Sequence, residues 1–243
     1  MSYGVRMRAV HVLPDAQGNP GPSIKAQRIR RSALWATLLL ACVASAGSKE
    51  GNLVAAISDG NVSAVKALLH AGAKLDDRDE IDGNTILHRA LAELDAERRL
   101  GAYPEEELEQ LKDRQMQALR LLIKGGAPLE ARNNSGATPL IFAAGNGGNV
   151  TQSPEQIAAV KLLLEMGAQV NATDKMRDTA LHLAARRGYI ESIKLLLAHG
   201  ADPALKNMYG ETAQKMAEPG EGHSDLDQSI RHQTIDLLKG KGK

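Results

Sequence analysis

The sequence predicts an all-α protein, a solenoid of about five helix-turn-helix units with a protruding helical hairpin inserted into it. Aromatic residues are 2% of a chain that is 43% apolar, so the core must consist of Leu, Ala, Ile and Val. Such residues suit thin layers of closely packed helices better than a β-sandwich. Leucine-rich segments that end in Gly-Ala also recur along the chain, each followed at nearly constant distance by a threonine. A constant phase of this kind is typical of stacked repeats.

Each leucine-rich segment ends at a glycine, where a helix can close in a left-handed residue. These glycines are Gly72, Gly126, Gly167 and Gly200. The threonines that follow begin the next apolar segment and can accept hydrogen bonds from free backbone N–H groups at a helix start. They are Thr85, Thr138, Thr179 and Thr212. The distance from glycine to threonine is 12 residues in three cases and 13 in the first, which defines one capping unit from about residue 50, three full units and a C-terminal cap.

These motifs resemble the ankyrin repeat. The matching features are T-x-L-H-x-A at Thr179, a glycine between two short helices, and LLLAHGAD ending at Asp202, with 33 residues from Thr179 to Thr212. The resemblance covers roughly residues 50–240. It implies a non-catalytic module that binds a protein through the turns between units, and it implies that His88 and His182 bridge neighbouring backbones by hydrogen bonds.

Two insertions depart from the repeat. Residues of about 95–112 lengthen the second unit, and helical leucine spacing on both sides of the insertion predicts a hairpin with an acidic tip at Glu105 to Glu107. Residues of about 145–153 form a glycine-rich loop in the third unit, after which Ser153 and Gln156 are spaced as a capping box. Arg177 stands where the other turns have glycine, which predicts a different turn or a strained one.

The N-terminal region reads as an export signal. Residues 28–46 contain three arginines followed by a stretch of fifteen residues without charge, too short to span a bilayer, and end in Ala44-Ser45-Ala46 before a predicted cleavage site. Residues 1–27 are then a disordered extension or precede the true start, and residues 47–243 form the repeat domain. Leu39 to Cys42 also resembles a bacterial lipobox, so lipidation of Cys42 and an outer-membrane location stay open beside a soluble periplasmic protein.

Composition and charge narrow the classes of function. Residues 1–46 carry six Lys or Arg and one Asp, which leaves a net charge of −4 on 47–243 and no basic stripe. We therefore expect no nucleic-acid binding, and membrane contact only through a lipid on Cys42. A single cysteine excludes an internal disulfide, and the common nucleotide-binding and hydrolase motifs are absent from the sequence. We expect no enzyme activity, no cofactor, no metal and a monomer.

The resemblance implies a binding face formed by the turns and the exposed positions of the first helix in each unit. Ile81, Met176, Met208 and Tyr209 are apolar at places where solvent contact is expected, as in interface anchors. The full set of candidate residues is Glu80, Ile81, Asn84, Glu93, Asn134, Ser135, Asn146, Lys175, Met176, Asp178, Arg186, Arg187, Met208, Tyr209 and Glu211. Binding through the inserted hairpin is the alternative.

Taken with the export signal, the resemblance implies an exported bacterial ankyrin-repeat protein that binds a single protein partner. That partner could be an effector or enzyme encoded by a neighbouring gene. One expectation is an inhibitor or immunity protein of a secreted toxic effector such as a phospholipase. The alternatives are an accessory protein of a periplasmic oxidative-defence enzyme and a membrane-anchored structural scaffold.

Overall fold

The computed structural model describes residues 49–94, 105–145, 152–218 and 227–240. Within these ranges the secondary structure is helical, with one isolated bridge between Thr173 and Thr179. The helices are α1 (Lys49–Ser58), α2 (Val62–His70), α3 (Ile86–Glu93), α4 (Glu105–Lys124), α5 (Pro139–Gly145), α6 (Pro154–Glu165), α7 (Ala180–Arg187), α8 (Ile190–Ala198), α9 (Ala213–Ala217) and α10 (Gln228–Lys239).

The helices stack in two rows. Odd-numbered helices form an inner row in which each contacts the next, and even-numbered helices form an outer row with the same order. Each unit contributes one helix to each row, which confirms the predicted solenoid of five units. The buried core runs through all five units and consists mainly of leucine, alanine and isoleucine. Among the described residues no helix is both long and apolar enough to cross a membrane.

Helix starts and ends follow the predicted local chemistry. The side chain of Thr179 accepts the backbone N–H of His182 at 3.4 Å, and Thr212 does the same for Lys215 at 3.4 Å. The glycines that close the outer helices have φ between 75° and 92°, the left-handed conformation that favours this residue. Ser153 and Gln156 form the predicted capping box at the start of α6, at 3.0 and 3.2 Å.

The insertion in the second unit lengthens α4 to 20 residues, against 9 in α8. Residues 95–104, which hold the first arm and turn of the predicted hairpin, lie outside the described ranges. The second arm is helical from Glu105, but it is not free for its whole length. Leu111 is 6% exposed, and the Gln115 side chain, 3% exposed, donates to the Ser58 carbonyl at 3.1 Å. The insertion therefore braces the first unit.

A close backbone approach makes this brace possible. Gly60 lies in the turn between α1 and α2, with φ of 62°, and a Cβ there would come within 2.9 Å of Leu111 Cδ1 and 3.0 Å of Arg114 Cβ. A larger residue would push α4 away from the first unit. On its other side α4 reaches the third unit, where Lys112 Nζ lies 3.4 Å from a Glu155 carboxylate oxygen.

Two further segments of the repeat domain are not described by the structure. Residues 146–151 and 219–226 lie outside the described ranges. Beyond the second of these gaps, α10 begins at Gln228 with Asp227 as its N-cap. The Asp227 side chain accepts the Ser229 N–H at 2.8 Å, which stabilises this helix start.

His88 and His182 join neighbouring units in the same way. The backbone N–H of Thr85 donates to His88 Nδ1 at 3.3 Å, so the ring proton is on Nε2, which donates to the Ala137 carbonyl at 3.0 Å. His182 accepts from Thr179 N–H at 3.2 Å and donates to the Glu211 carbonyl at 3.1 Å. Both rings are almost fully buried, so each one satisfies backbone groups of two units at once.

The environment of His88 favours the neutral ring. Burial lowers its pKa below the ordinary value because a charged imidazole would lose its hydration. The bond to the Ala137 carbonyl opposes this shift, nearby Arg78 adds to it, and Asp79 opposes it weakly. The ring of Phe142 packs edge-on at 5.4 Å. In the third unit Ile141 takes the equivalent position and is 1% exposed, so the stack also accepts an apolar residue there.

We predict that stability falls as the pH drops below about 6.5, because the unfolded chain then takes up a proton on residue 88 that the folded chain resists. His88→Ile, the residue that the third unit carries, leaves the Ala137 carbonyl unpaired and should lower the free energy of unfolding by about 1–3 kcal/mol at pH 7.5. In urea titrations at pH 5.5, the difference in the free energy of unfolding between wild type and variant should be smaller than at pH 7.5. Equal differences at both pH values would contradict the assignment of this pH dependence to His88.

Candidate functional site

Four turns connect successive units and are called fingers here. They are finger 1 (residues 79–84), finger 2 (133–137), finger 3 (174–178) and finger 4 (207–211). In each finger the first residue donates its backbone N–H to the carbonyl of the last, at 2.9 to 3.1 Å. Finger 1 is one residue longer, which accounts for the 13-residue spacing in the first unit.

An Asp or Asn side chain organises every finger from its first position. Asp174 accepts the N–H groups of Met176 and Asp178 at 2.8 and 2.9 Å, and Asn207 accepts those of Tyr209 and Glu211, both at 3.0 Å. The same arrangement occurs in the first two fingers, at Asp79 and Asn133. Sequence reasoning missed these four residues, although their recurrence at one repeat position was a readable signal for side-chain capped turns.

A backbone ladder joins the fingers into one row. Asn134 N–H donates to Asp82 carbonyl at 2.7 Å, Lys175 N–H to Ser135 at 3.0 Å, and the N–H of Met208 to Met176 at 2.8 Å. Two arginines add side-chain bonds across the row. Arg78 donates to Gly83 within its own unit and to Arg132 in the next, and Arg132 repeats this with Gly136 and Thr173. Asn134 Nδ2 also donates to the Ile81 carbonyl at 3.0 Å. The finger row is therefore held by backbone groups and by these polar side chains, and the apolar side chains at the tips take no part in it.

The exposed apolar side chains concentrate on this row. In the described residues the large exposed hydrophobic side chains are Ile81, Met166, Met176, Met208 and Tyr209. Four of these five lie on fingers, and Met166 ends α6 in the outer row. Exposure reaches 85% at Ile81 and 65% at Tyr209. Clustering of apolar side chains on one edge is typical of interaction surfaces, whereas isolated ones are ordinary.

The charges on the row change sign along it. Finger 1 exposes Glu80 and Asp82, the tip of finger 2 is neutral, and finger 3 exposes Lys175 and Arg177. At the base of finger 3, burial raises the pKa of the Asp174 carboxyl, although two backbone N–H donors and the nearby Arg186 act to lower it.

The predicted site residues fall into four groups. The exposed ones are Glu80, Ile81, Asn134, Ser135, Lys175, Met176, Met208 and Tyr209. Those that are half-buried are Asn84, Glu93, Arg186, Arg187 and Glu211. Asn146 lies outside the described residues. Asp178 is buried, at 6% exposure.

The burial of Asp178 corrects its predicted place on the binding face. Its carboxylate accepts a hydrogen bond from Asn207 Nδ2 at 3.0 Å, so it joins the bases of fingers 3 and 4. Asn84 accepts from Asn133 Nδ2 at 2.9 Å and has the same role between the first two fingers. The exposed part of the predicted face is therefore the row of finger tips.

Metal binding and acid–base chemistry find no support in the described part of the chain. Among the described residues no group of three or more His, Cys, Asp and Glu side chains is arranged to hold a metal ion. A narrow cleft between α3, α5 and α6 has no acid or base in its lining. The lining residues are Leu91, Leu94, Ala143, Gln156 and Ala159.

Arg177 holds a strained backbone conformation. Its φ is 62°, and it is the sole non-glycine residue with positive φ in the described part of the chain. Gly83, Gly136 and Gly210 take the same place in the other fingers, at 64°, 81° and 77°. Of the two alternatives predicted from the sequence, the structure shows the strained turn.

We predict that Arg177→Gly raises the free energy of unfolding by about 0.5–1 kcal/mol, the cost of a left-handed L-residue less the added flexibility of the unfolded chain. Arg177→Ala keeps the Cβ and serves as the control, with an expected change within about 0.5 kcal/mol. Urea titration of the three proteins measures both changes. An equal gain for both variants would assign the effect to charge instead of backbone strain.

Comparison with known proteins agrees with this architecture. A family model described as "Ankyrin repeats (3 copies)" matches residues 111–207, and one described as "Ankyrin repeats (many copies)" matches residues 53–98. Together the two matches run from the first unit to the start of finger 4, with residues 99–110 between them unmatched.

Curated relatives share the repeats over part of their length. Human Ankyrin repeat and SOCS box protein 16 is 33% identical over 69% of this chain and 31% of its own. A probable E3 ubiquitin-protein ligase of Oryza sativa subsp. japonica is 37% identical over 46% of this chain and 21% of its own. The B-cell lymphoma 3 protein homolog of Mus musculus is 33% identical over 51% of this chain and 24% of its own. The chain thus spans less than a third of each relative, and the shared part is the repeat array. On its motifs, its fold and these matches, the chain belongs to the ankyrin-repeat family.

Proposed function

We propose that the protein is a non-catalytic recognition module that holds a single protein partner on its finger row. Ankyrin repeats mediate protein–protein interaction, and the observation that carries the proposal for this chain is the clustering of exposed apolar side chains on the fingers. Met176, Met208 and Tyr209 sit on two adjacent fingers that a backbone hydrogen bond joins. They supply the aromatic and methionine anchors that are enriched in interfaces.

The way the fingers are built supports this role. Each tip is fixed by an Asp or Asn side chain and by bonds to the neighbouring finger, so it loses little conformational freedom when a partner binds. The start of α4, where Glu106, Glu109 and Gln110 are exposed, is the competing surface. It is acidic, but the described residues there include no exposed large hydrophobic side chain.

The proposal includes export and a partner outside the cytoplasm. Residues 28–46 act as the signal peptide, and the repeat domain from residue 47 is released into the periplasm or is anchored to the outer membrane through Cys42. In that compartment the protein serves as the inhibitor or immunity protein of a secreted toxic effector such as a phospholipase. The accessory role for a periplasmic oxidative-defence enzyme is the alternative, and a neighbouring gene for the partner would identify which applies.

Capture of the exported form from the cells that produce it, followed by mass spectrometry, tests the recognition role. We expect one dominant partner, and at least a tenfold loss of its binding when Met176→Ala is combined with Tyr209→Ala. Met166→Ala is the matched control, because Met166 is 42% exposed and Met176 39%, yet it lies off the finger row. Binding that survives the finger variants but fails with Glu106→Lys and Glu109→Lys would assign the site to α4. Absence of a reproducible partner would contradict the recognition role.

Cell fractionation tests the location. Periplasmic protein that begins at Gly47 and is unaffected by Cys42→Ser is the expected result for soluble export. Membrane-bound protein that becomes soluble with Cys42→Ser would instead establish the lipoprotein. An unprocessed chain in the cytoplasm would contradict export altogether.

A further inference from the structure

Two finger tips share one plan with opposite charge. Finger 1 exposes Ile81 between Glu80 and Asp82, and finger 3 exposes Met176 between Lys175 and Arg177. Finger 2 lies between them with a neutral tip. Stacked helices are about 8–10 Å apart, so two repeat steps place the acidic and basic tips about 20 Å from each other. The charge along the row is therefore polar, acidic at finger 1 and basic at finger 3.

These tip charges are not used inside the protein. The side chains of Glu80, Asp82, Lys175 and Arg177 form no ion pair with any described residue. Two exposed lysines of the outer helices do form ion pairs, Lys194 with Glu191 at 2.7 Å and Lys161 with Glu165 at 3.8 Å. Arg186, close enough to affect the pKa of Asp174, adds positive charge near finger 3. Unpaired charges on a fixed surface are available to a partner.

The strained backbone at Arg177 is a second and independent observation. The other three fingers have glycine at this place. Among the described residues the Arg177 side chain has no hydrogen-bond partner that would offset the strain. Strain of this kind is typical of functional positions, where the side chain acts outside its own fold. Here the substitution adds a cation to the tip that already carries Lys175.

We propose that the finger row binds an extended protein segment with acidic side chains at one end, basic side chains at the other and apolar side chains between them. The acidic end lies on Lys175 and Arg177, and the basic end on Glu80 and Asp82. At about 3.3 Å per extended residue, the two charged ends are about six residues apart. This inference rests on the proposed recognition function and specifies the partner's chemistry and its direction along the row.

Charge at exposed tips determines which partner binds and how it is oriented more than it determines total affinity. Ile81 and Met176 supply apolar contact at both ends, so apolar anchoring alone would fit a segment in either direction. The opposite charges remove this ambiguity, because a reversed segment would place like charges together at both fingers.

Selection of a displayed library of random 16-residue peptides on the immobilised full chain tests the proposal. We expect enriched peptides to carry an acidic and a basic cluster about six residues apart. A synthetic copy of such a peptide should bind the double variant Lys175→Glu/Arg177→Glu about tenfold or more weakly than it binds the wild type. Peptides selected anew on this variant should carry basic side chains in place of the acidic cluster. Lys161→Glu with Lys194→Glu makes the same change in net charge on the outer row and should leave affinity unchanged.

The other outcomes separate this inference from the recognition role. Enriched peptides that are apolar without charge polarity, yet are lost with Met176→Ala and Tyr209→Ala, would overturn the inference and leave the recognition role standing. Failure to enrich any peptide, while the captured partner still depends on Met176 and Tyr209, would overturn the inference alone, and only the absence of a captured partner would overturn the recognition role as well. Sedimentation that shows a dimer, dissociated by Lys175→Glu with Arg177→Glu, would overturn the inference in favour of a second copy as the occupant.

Discussion

No unit of this protein can bury its own apolar face, and the structure depends on that constraint. Two helices of eight or nine residues offer a stripe of leucine and alanine that only a neighbouring unit can cover. Close stacking follows, and close stacking brings backbone groups of adjacent units within reach of one another. The buried histidines and the ladder between the fingers use this proximity. The apolar side chains at the tips take no part in it, whereas the Asn134 side chain joins finger 2 to finger 1.

The backbone contacts and base residues that hold each finger, called the frame here, are largely separate from the side chains at its tip. A recognition surface can therefore vary without loss of fold. The frame needs an Asp or Asn at the first position of a finger, a residue that tolerates positive φ near its end, and free backbone N–H groups. None of these requirements fixes the residues between. Ile81 and Ser135 stand at the tips of neighbouring fingers on the same backbone plan. Electrostatic direction along the row is thus set by residues that stability does not select.

The sequence predicted what depends on local chemistry and missed what depends on distant contacts. Thr179 as a helix cap, the glycine ends of the outer helices and the bridge through His182 all follow from the repeat pattern. The burial of Asp178 does not, because it depends on Asn207 in the next unit, 29 residues away. The hydrogen bond from Gln115 to Ser58 joins residues 57 positions apart, so it could not be predicted from the sequence either. The sequence therefore indicated which tip residues are exposed, and it did not indicate that Asp178 at the base of finger 3 is buried.

The brace from α4 gives the array two unequal ends. The first unit is held by α3, as any repeat would be, and also by the extension that packs over Gly60. The last unit has an inner helix of five residues, Ala213–Ala217. In a linear array, local opening begins where neighbour contacts are weakest. The first unit can therefore separate from the stack only when its contacts with both α3 and the extension of α4 break, which ties its opening to that of the second unit.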